Sequence, residues 1–157
     1  MTQFLVGALR GIIMRAPGIT ATRDFYTQMW GLGLAHEEPG IVWLRGTGGN
    51  AFIYGLKDAP VYGIELIEFA MDDRDQVARL HAHATAEGAE VLGAPAAFTD
   101  YPGGWGFEIL DPDNRRLRFR AEALTHQEKP QWAMPRKVSH VVLNTPDMEG
   151  LEAWYCR

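Results

Sequence analysis

Short runs of apolar and β-branched residues, bounded by Gly, Pro and Asp, alternate along this chain with stretches at helical spacing. Residues 9–16 (LRGIIMRA) predict a strand that Pro17-Gly18 ends. Thr20 or Thr22 can cap the helix that follows, where Phe25, Tyr26, Met29 and Trp30 recur at helical spacing before Gly31 and Gly33 stop it. Three strands are predicted next, over residues 33–36, 41–45 and 51–56, with turns at Pro39-Gly40 and over residues 46–50.

The same outline then repeats. Residues 63–71 (GIELIEFAM) predict a strand, and Asp72 or Asp73 can cap a helix whose apolar face is Val77, Leu80 and Ala84, closed by Gly88. Three strands are again predicted: residues 90–92 and onwards, 105–110 and 116–120, the last two joined by Asp111-Pro112-Asp113-Asn114. The unit strand–helix–three strands is thus written twice. Each copy offers an apolar sheet face and a helix to cover it, an α+β arrangement.

Residues 122–136 differ in character, with Gln, Glu, Lys and two prolines around Trp132, and predict a linker in which Trp132 can pin the segment to a surface. Residues 137–145 (KVSHVVLNT) predict one more strand, followed by Pro146-Asp147 and the start of a helix. This tail aligns on the beginning of the chain without a gap: His140 on Gly11, Pro146 on Pro17, Trp154 on Phe25, Tyr155 on Tyr26. A lone strand and a short helix cannot close a second core, so the tail is expected to be the opening of a truncated second module.

Composition narrows the classes. Of 157 residues, 46% are hydrophobic and 22% charged, a globular balance, and the formal charge of −5 comes without a basic stripe, which speaks against a nucleic-acid partner. No apolar run is long enough to span a membrane, and no secretory leader pattern is present. The single cysteine, Cys156, cannot pair internally and suits a reducing, cytoplasmic setting; a buried or incidental thiol is expected.

Three segments carry a family resemblance: residues 11–32, residues 64–88 with their strand ending in Asp72-Asp73, and residues 104–119 with their Asp-Pro-Asp turn; residues 138–155 add a partial fourth. The doubled unit resembles the vicinal oxygen chelate superfamily, which includes glyoxalases, bleomycin resistance proteins and type I extradiol dioxygenases. It looks most like the N-terminal part of a two-module extradiol dioxygenase. The resemblance implies paired βαβββ units in a curved mixed sheet, with helices on its outer face. It also implies a divalent metal on the concave face, Fe(II) or alternatively Mn(II), held by a histidine from the first strand, a histidine or glutamine from the fifth and a glutamate from the eighth. Two imidazoles and a carboxylate leave adjacent positions open for a bidentate substrate and dioxygen. Asn114-Arg115 departs from the family's Gly-Asn at the turn.

Carried onto this chain, the three ligand positions fall on Gly11, Leu66 and Arg118, none of which can be a normal ligand. The module spanning residues 1–121 is therefore expected to be metal-free. The second copy has His140 where the first has Gly11, so His140 is the single candidate metal ligand, its partners lying beyond Arg157. The implied whole is an extradiol dioxygenase acting on a small aromatic diol with dioxygen, and a homo-oligomer is expected. Glyoxalase- or epimerase-like metal chemistry, and metal-free small-molecule binding, remain open.

Alternation places Arg116, Arg118 and Arg120 on one face of their strand and Leu117 and Phe119 on the other. It places Ile67, Phe69 and Met71 toward the helices and Ile64, Leu66 and Glu68 in the bowl. Glu68 is expected to pair with Arg118 or Arg15, an ion pair where the metal would be. His81 and His83, two apart on a helix, diverge; His36 and His126 have no evident partner. Gly46-Thr47-Gly48-Gly49 lacks the lysine and helix of a phosphate loop and predicts a hairpin turn.

Overall fold

The computed structural model describes residues 6–128 and 134–157. Trp132 lies outside the described residues. The first unit comprises β1 (Leu9–Ala16), α1 (Ile19–Gln28), β2 (Gly33–Glu38), β3 (Ile41–Arg45) and β4 (Tyr54–Asp58). The second comprises β5 (Gly63–Ala70), α2 (Arg74–Ala86), β6 (Glu90–Val91), β7 (Ala96–Ala97), β8 (Trp105–Leu110) and β9 (Arg116–Ala121). A last helix, α3 (Met148–Tyr155), belongs to the tail.

One mixed sheet runs in the order β2-β3-β4-β1-β5-β9-β8-β6, with β7 also on β8. In each unit the first strand pairs parallel with the last, β1 with β4 and β5 with β9. The two units meet at the centre, where β1 and β5 run antiparallel. The expected paired βαβββ sheet is what forms, but the first strand after α2 is broken into two pieces of two residues each, β6 and β7, with Gly93 and Pro95 in the break.

The helices differ in how they are seated. Asp73, not Asp72, caps α2 by accepting the Gln76 amide at 2.7 Å, and Val77, Leu80 and Ala84 are buried against Phe107, Ile109, Leu117 and Phe119. On α1 the N-cap is Gly18 at φ 62°, not a threonine, and no residue of the helix is buried. Only Ile19 and Tyr26 pack on the sheet, Tyr26 against Tyr54 with ring centres 4.5 Å apart; Met29 is 74% exposed. The aromatic stripe of α1 thus turns mostly outward, because the strands beneath it offer their buried side chains to a helix contacted chiefly at its first turn and at Tyr26.

The tail departs from expectation. Residues 137–145 form no strand; they run without a ladder partner, while Val141 and Leu143 pack on the cluster beneath α2. The alternation that predicted a strand survives as alternate packing, but among the described residues no strand pairs with it. The predicted helix does form, capped by Asp147, which accepts the Gly150 amide at 2.9 Å. Among the described residues no helix is long and apolar enough to cross a membrane.

Candidate functional site

The bowl is built on β1, β5 and β9, side by side at the sheet's centre. Gly11 stands opposite Glu68, Glu68 opposite Arg118, and Ile13 opposite Leu66. The three predicted ligand positions therefore share the concave face, with Leu66 one step along from the row made by Gly11, Glu68 and Arg118.

Two groups of side chains fill this face. On the first unit's side Ile13, Trp43, Phe52 and Leu66 form a buried cluster, with Tyr101 against it. A Cβ on Gly11 would stand 2.8 Å from the Phe52 ring, so the aromatic ring occupies the space a ligand side chain would need. On the second unit's side lies an ionic cluster around Glu68, whose side chain is wholly buried. Arg10 reaches it at 3.2 Å, Arg120 at 3.1 Å and Arg118 at 3.8 Å. Arg118 in turn bonds Glu108 and Asp100, both at 2.6 Å, and Arg120 donates to the Gly103 carbonyl at 2.6 Å. The Phe98 ring lies 4.5 and 4.6 Å from the Arg118 and Arg120 guanidinium carbons.

Burial pushes the Glu68 carboxyl above its ordinary value, against the pull of Arg120, Arg10 and Arg118. Burial likewise lowers Arg120, opposed by Glu68. Burial acts on Arg118 in the same sense, but Asp100, Glu108 and Glu68 together raise it. The cluster balances three cations with three carboxylates in a partly closed space.

A metal does not fit this donor set. Gly11 and Leu66 offer no lone pair, Arg118 is a cation, and Glu68 is already shared among three guanidinium groups. Among the described residues no three His, Cys, Asp or Glu side chains converge to hold an ion.

Of the two partners expected for Glu68, Arg118 is the one that reaches it, at 3.8 Å, while Arg15 approaches Glu65 at 3.8 Å. Arg10 was missed because a bulge between Leu9 and Gly11 breaks the alternation and brings its side chain to Glu68. A second irregularity between Ile13 and Met14 sends Ile64 to the α2 side instead of the bowl. The alternation on β9 holds, with Leu117 and Phe119 beneath α2 and Arg118 and Arg120 in the ionic cluster.

Other candidates resolve individually. His81 packs edge-on to Phe107, with ring centres 5.0 Å apart, while His83 borders a cavity beside Glu87. His36 and His126 acquire a common neighbour in Tyr101, which stacks on His36 at 4.8 Å and places its hydroxyl 3.3 Å from His126 Nε2. No sequence signal linked these distant positions. Cys156 is exposed, not buried. His140 is exposed on the tail, its Nδ1 2.9 Å from the Ser139 hydroxyl.

No family model matches the sequence, and no curated protein matches it. Solved structures do. The Mn(II)-bound glyoxalase from Novosphingobium aromaticivorans superposes with a TM-score of 0.89 at 25% identity, over 96% of this chain and 51% of that one. Homoprotocatechuate 2,3-dioxygenase from Brevibacterium fuscum, in its complex with 3,4-dihydroxyphenylacetate, gives 0.68 at 16% identity, over 78% of this chain and 39% of that one. The same enzyme from Arthrobacter globiformis gives 0.67 at 17% identity, over 78% and 38%. The chain thus spans about half the length of the first and well under half of the others. It has the vicinal oxygen chelate fold, and its structural neighbours include a Mn(II)-bound glyoxalase and homoprotocatechuate 2,3-dioxygenases.

Proposed function

We propose that this chain is the supporting part of a two-module, non-haem metal-dependent enzyme, and that the intact enzyme opens a catechol-type aromatic diol with dioxygen. Residues 1–121 are the metal-free module, 122–136 the linker, and 137–157 the opening of the metal-holding module. The observation that carries this is the contrast between aligned positions. In the first copy Gly11 is covered by Phe52, and Glu68 is bound to arginines, whereas the second copy carries an exposed imidazole, His140, at the equivalent place.

His140 would supply one neutral nitrogen to Fe(II), or alternatively Mn(II). The metal, held with partners outside this chain, would let a vicinal diol bind through both oxygens. In the bowl of residues 1–121 the carboxylates Glu68, Glu108 and Asp100 are engaged by arginines, and none stands at a carried-over ligand position. The test uses the natural full-length protein loaded anaerobically with Fe(II) and offered a panel of catechols. Oxygen uptake lost in His140→Ala, together with bound iron, supports the proposal; uptake with the variant unimpaired sinks it.

A second reading is favoured by the glyoxalase neighbour, which matches nearly the whole chain. There the same metal position would serve a substrate with vicinal oxygens and no oxygen would be consumed. Metal-dependent turnover of an α-ketoaldehyde–thiol adduct without oxygen uptake would decide for it.

A further inference from the structure

The Asp-Pro-Asp turn between β8 and β9 reaches beyond the two strands it joins. The Asp111 side chain is fully buried, and Oδ1 accepts the amides of Asp113 at 2.9 Å and Arg115 at 2.8 Å. Its Oδ2 accepts Arg115 Nη1 at 2.7 Å and, from the tail, the Tyr155 hydroxyl at 3.1 Å. Arg115 directs its other terminal nitrogen to Asp113 at 2.7 Å and to the backbone carbonyl of Asn144. One carboxylate and one guanidinium thus grip the tail on both sides of the Asp147 helix cap.

The tail's other end is held by the glycine-rich turn that only looks like a phosphate loop. The amides of Thr47 and Gly48 donate to the Pro135 and Arg136 carbonyls at 2.9 and 3.2 Å. A Cβ on Gly46 would lie 2.5 Å from the Pro135 oxygen, and one on Gly48 2.7 Å from the Arg136 oxygen. Glycine is needed there because another stretch of backbone runs across the turn.

We propose that the Asp111–Arg115 turn and the Gly46–Gly48 turn are two halves of one intramolecular docking site, which holds residues 135–155 in a single register. Register decides orientation. With Val141 and Leu143 turned into the cluster beneath α2, His140 and Val142 face outward, Val142 at 76% exposure. A slip of one residue would reverse all four. Apolar contacts alone tolerate such a slip; a hydrogen bond to one carbonyl and one phenol does not. Asp111 and Arg115 are therefore positioning residues for the segment that bears His140. The docking stands on these contacts, and only what His140 then does rests on the function proposed above.

Trypsin cleavage after Arg136 and Lys137 in the 157-residue chain reads the docking directly, because cleavage follows the population of the undocked tail. Tyr155→Phe removes one bond to Asp111 and leaves its other three donors in place. It should speed cleavage there about 3- to 10-fold while the thermal midpoint of residues 6–121 stays unchanged. Gly48→Ala should do the same from the other end. Unchanged cleavage in both variants overturns the proposal, and so does faster cleavage that merely tracks a lowered midpoint. Loss or retention of metal in His140→Ala of the natural full-length protein bears on the proposed function alone, so the two failures are distinguishable.

Discussion

Glu68 and Arg120 lie 3.1 Å apart on adjacent parallel strands, and neither side chain is exposed to solvent. Glu68 lies in the row that Gly11, Glu68 and Arg118 make across β1, β5 and β9, and the pair belongs to a cluster that also holds Arg10, Arg118, Asp100 and Glu108. Removing Glu68 leaves the buried Arg120 and Arg10 guanidinium groups without the carboxylate they share.

Glu68→Gln should therefore destabilise the fold by about 3–5 kcal/mol. The amide keeps the shape but cannot offset three guanidinium groups. A urea melt measures it, and a loss below about 1 kcal/mol would mean the cluster behaves as a solvated surface pair.

Gly11→Ala should be destabilising by about 1–3 kcal/mol through overpacking, since its methyl would meet the Phe52 ring at 2.8 Å. Phe52→Leu in the same chain should recover part of that loss. A double-mutant cycle in denaturant tests the contact; strict additivity would show that the two positions do not meet.

A cavity of about 230 Å³ remains between α2, α3 and the sheet, lined in part by Ala84, Phe119 and Trp154. Ala84→Leu should fill some of it and stabilise by about 0.5–2 kcal/mol. A lowered melting midpoint would show the space is needed by the existing packing.

Burial, followed by the Asp111 carboxylate, pushes the Tyr155 phenol above its ordinary value. The folded state thus favours the neutral phenol. Its contribution is complete below the unfolded value of about 10 and is lost as pH rises through the higher folded value. Absorbance titration should show Tyr155→Phe lacking one late-ionising phenol, with those of Tyr54 and Tyr101, which burial also raises, still present. Loss of one phenol from the part of the curve near the ordinary value of about 10, with the late-ionising part unchanged, would show that Tyr155 is not raised.

Whereas the strand expected over residues 51–56 forms three residues later, at Tyr54–Asp58, the doubled unit, the α2 face and the absence of ligating side chains at Gly11, Leu66 and Arg118 were legible in residue order. Each depends on local periodicity or on what a single side chain can chemically do. The partners of Glu68 were not. Arg10 enters the bowl through a bulge, and a bulge is a property of two paired strands, invisible in either one alone. The outward turn of α1's aromatic stripe likewise depended on which strands lay beneath it. Residues 137–145 carry a strand's alternation yet form no ladder, because a strand needs a neighbour as well as a pattern. The glycines of residues 46–49 announced a turn, while the backbone that crosses them comes from nearly ninety positions later. Local order along the chain determined the elements; tertiary structure alone decided which distant charges and carbonyls would share a space, since those contacts depend on three-dimensional closure and not on sequence separation.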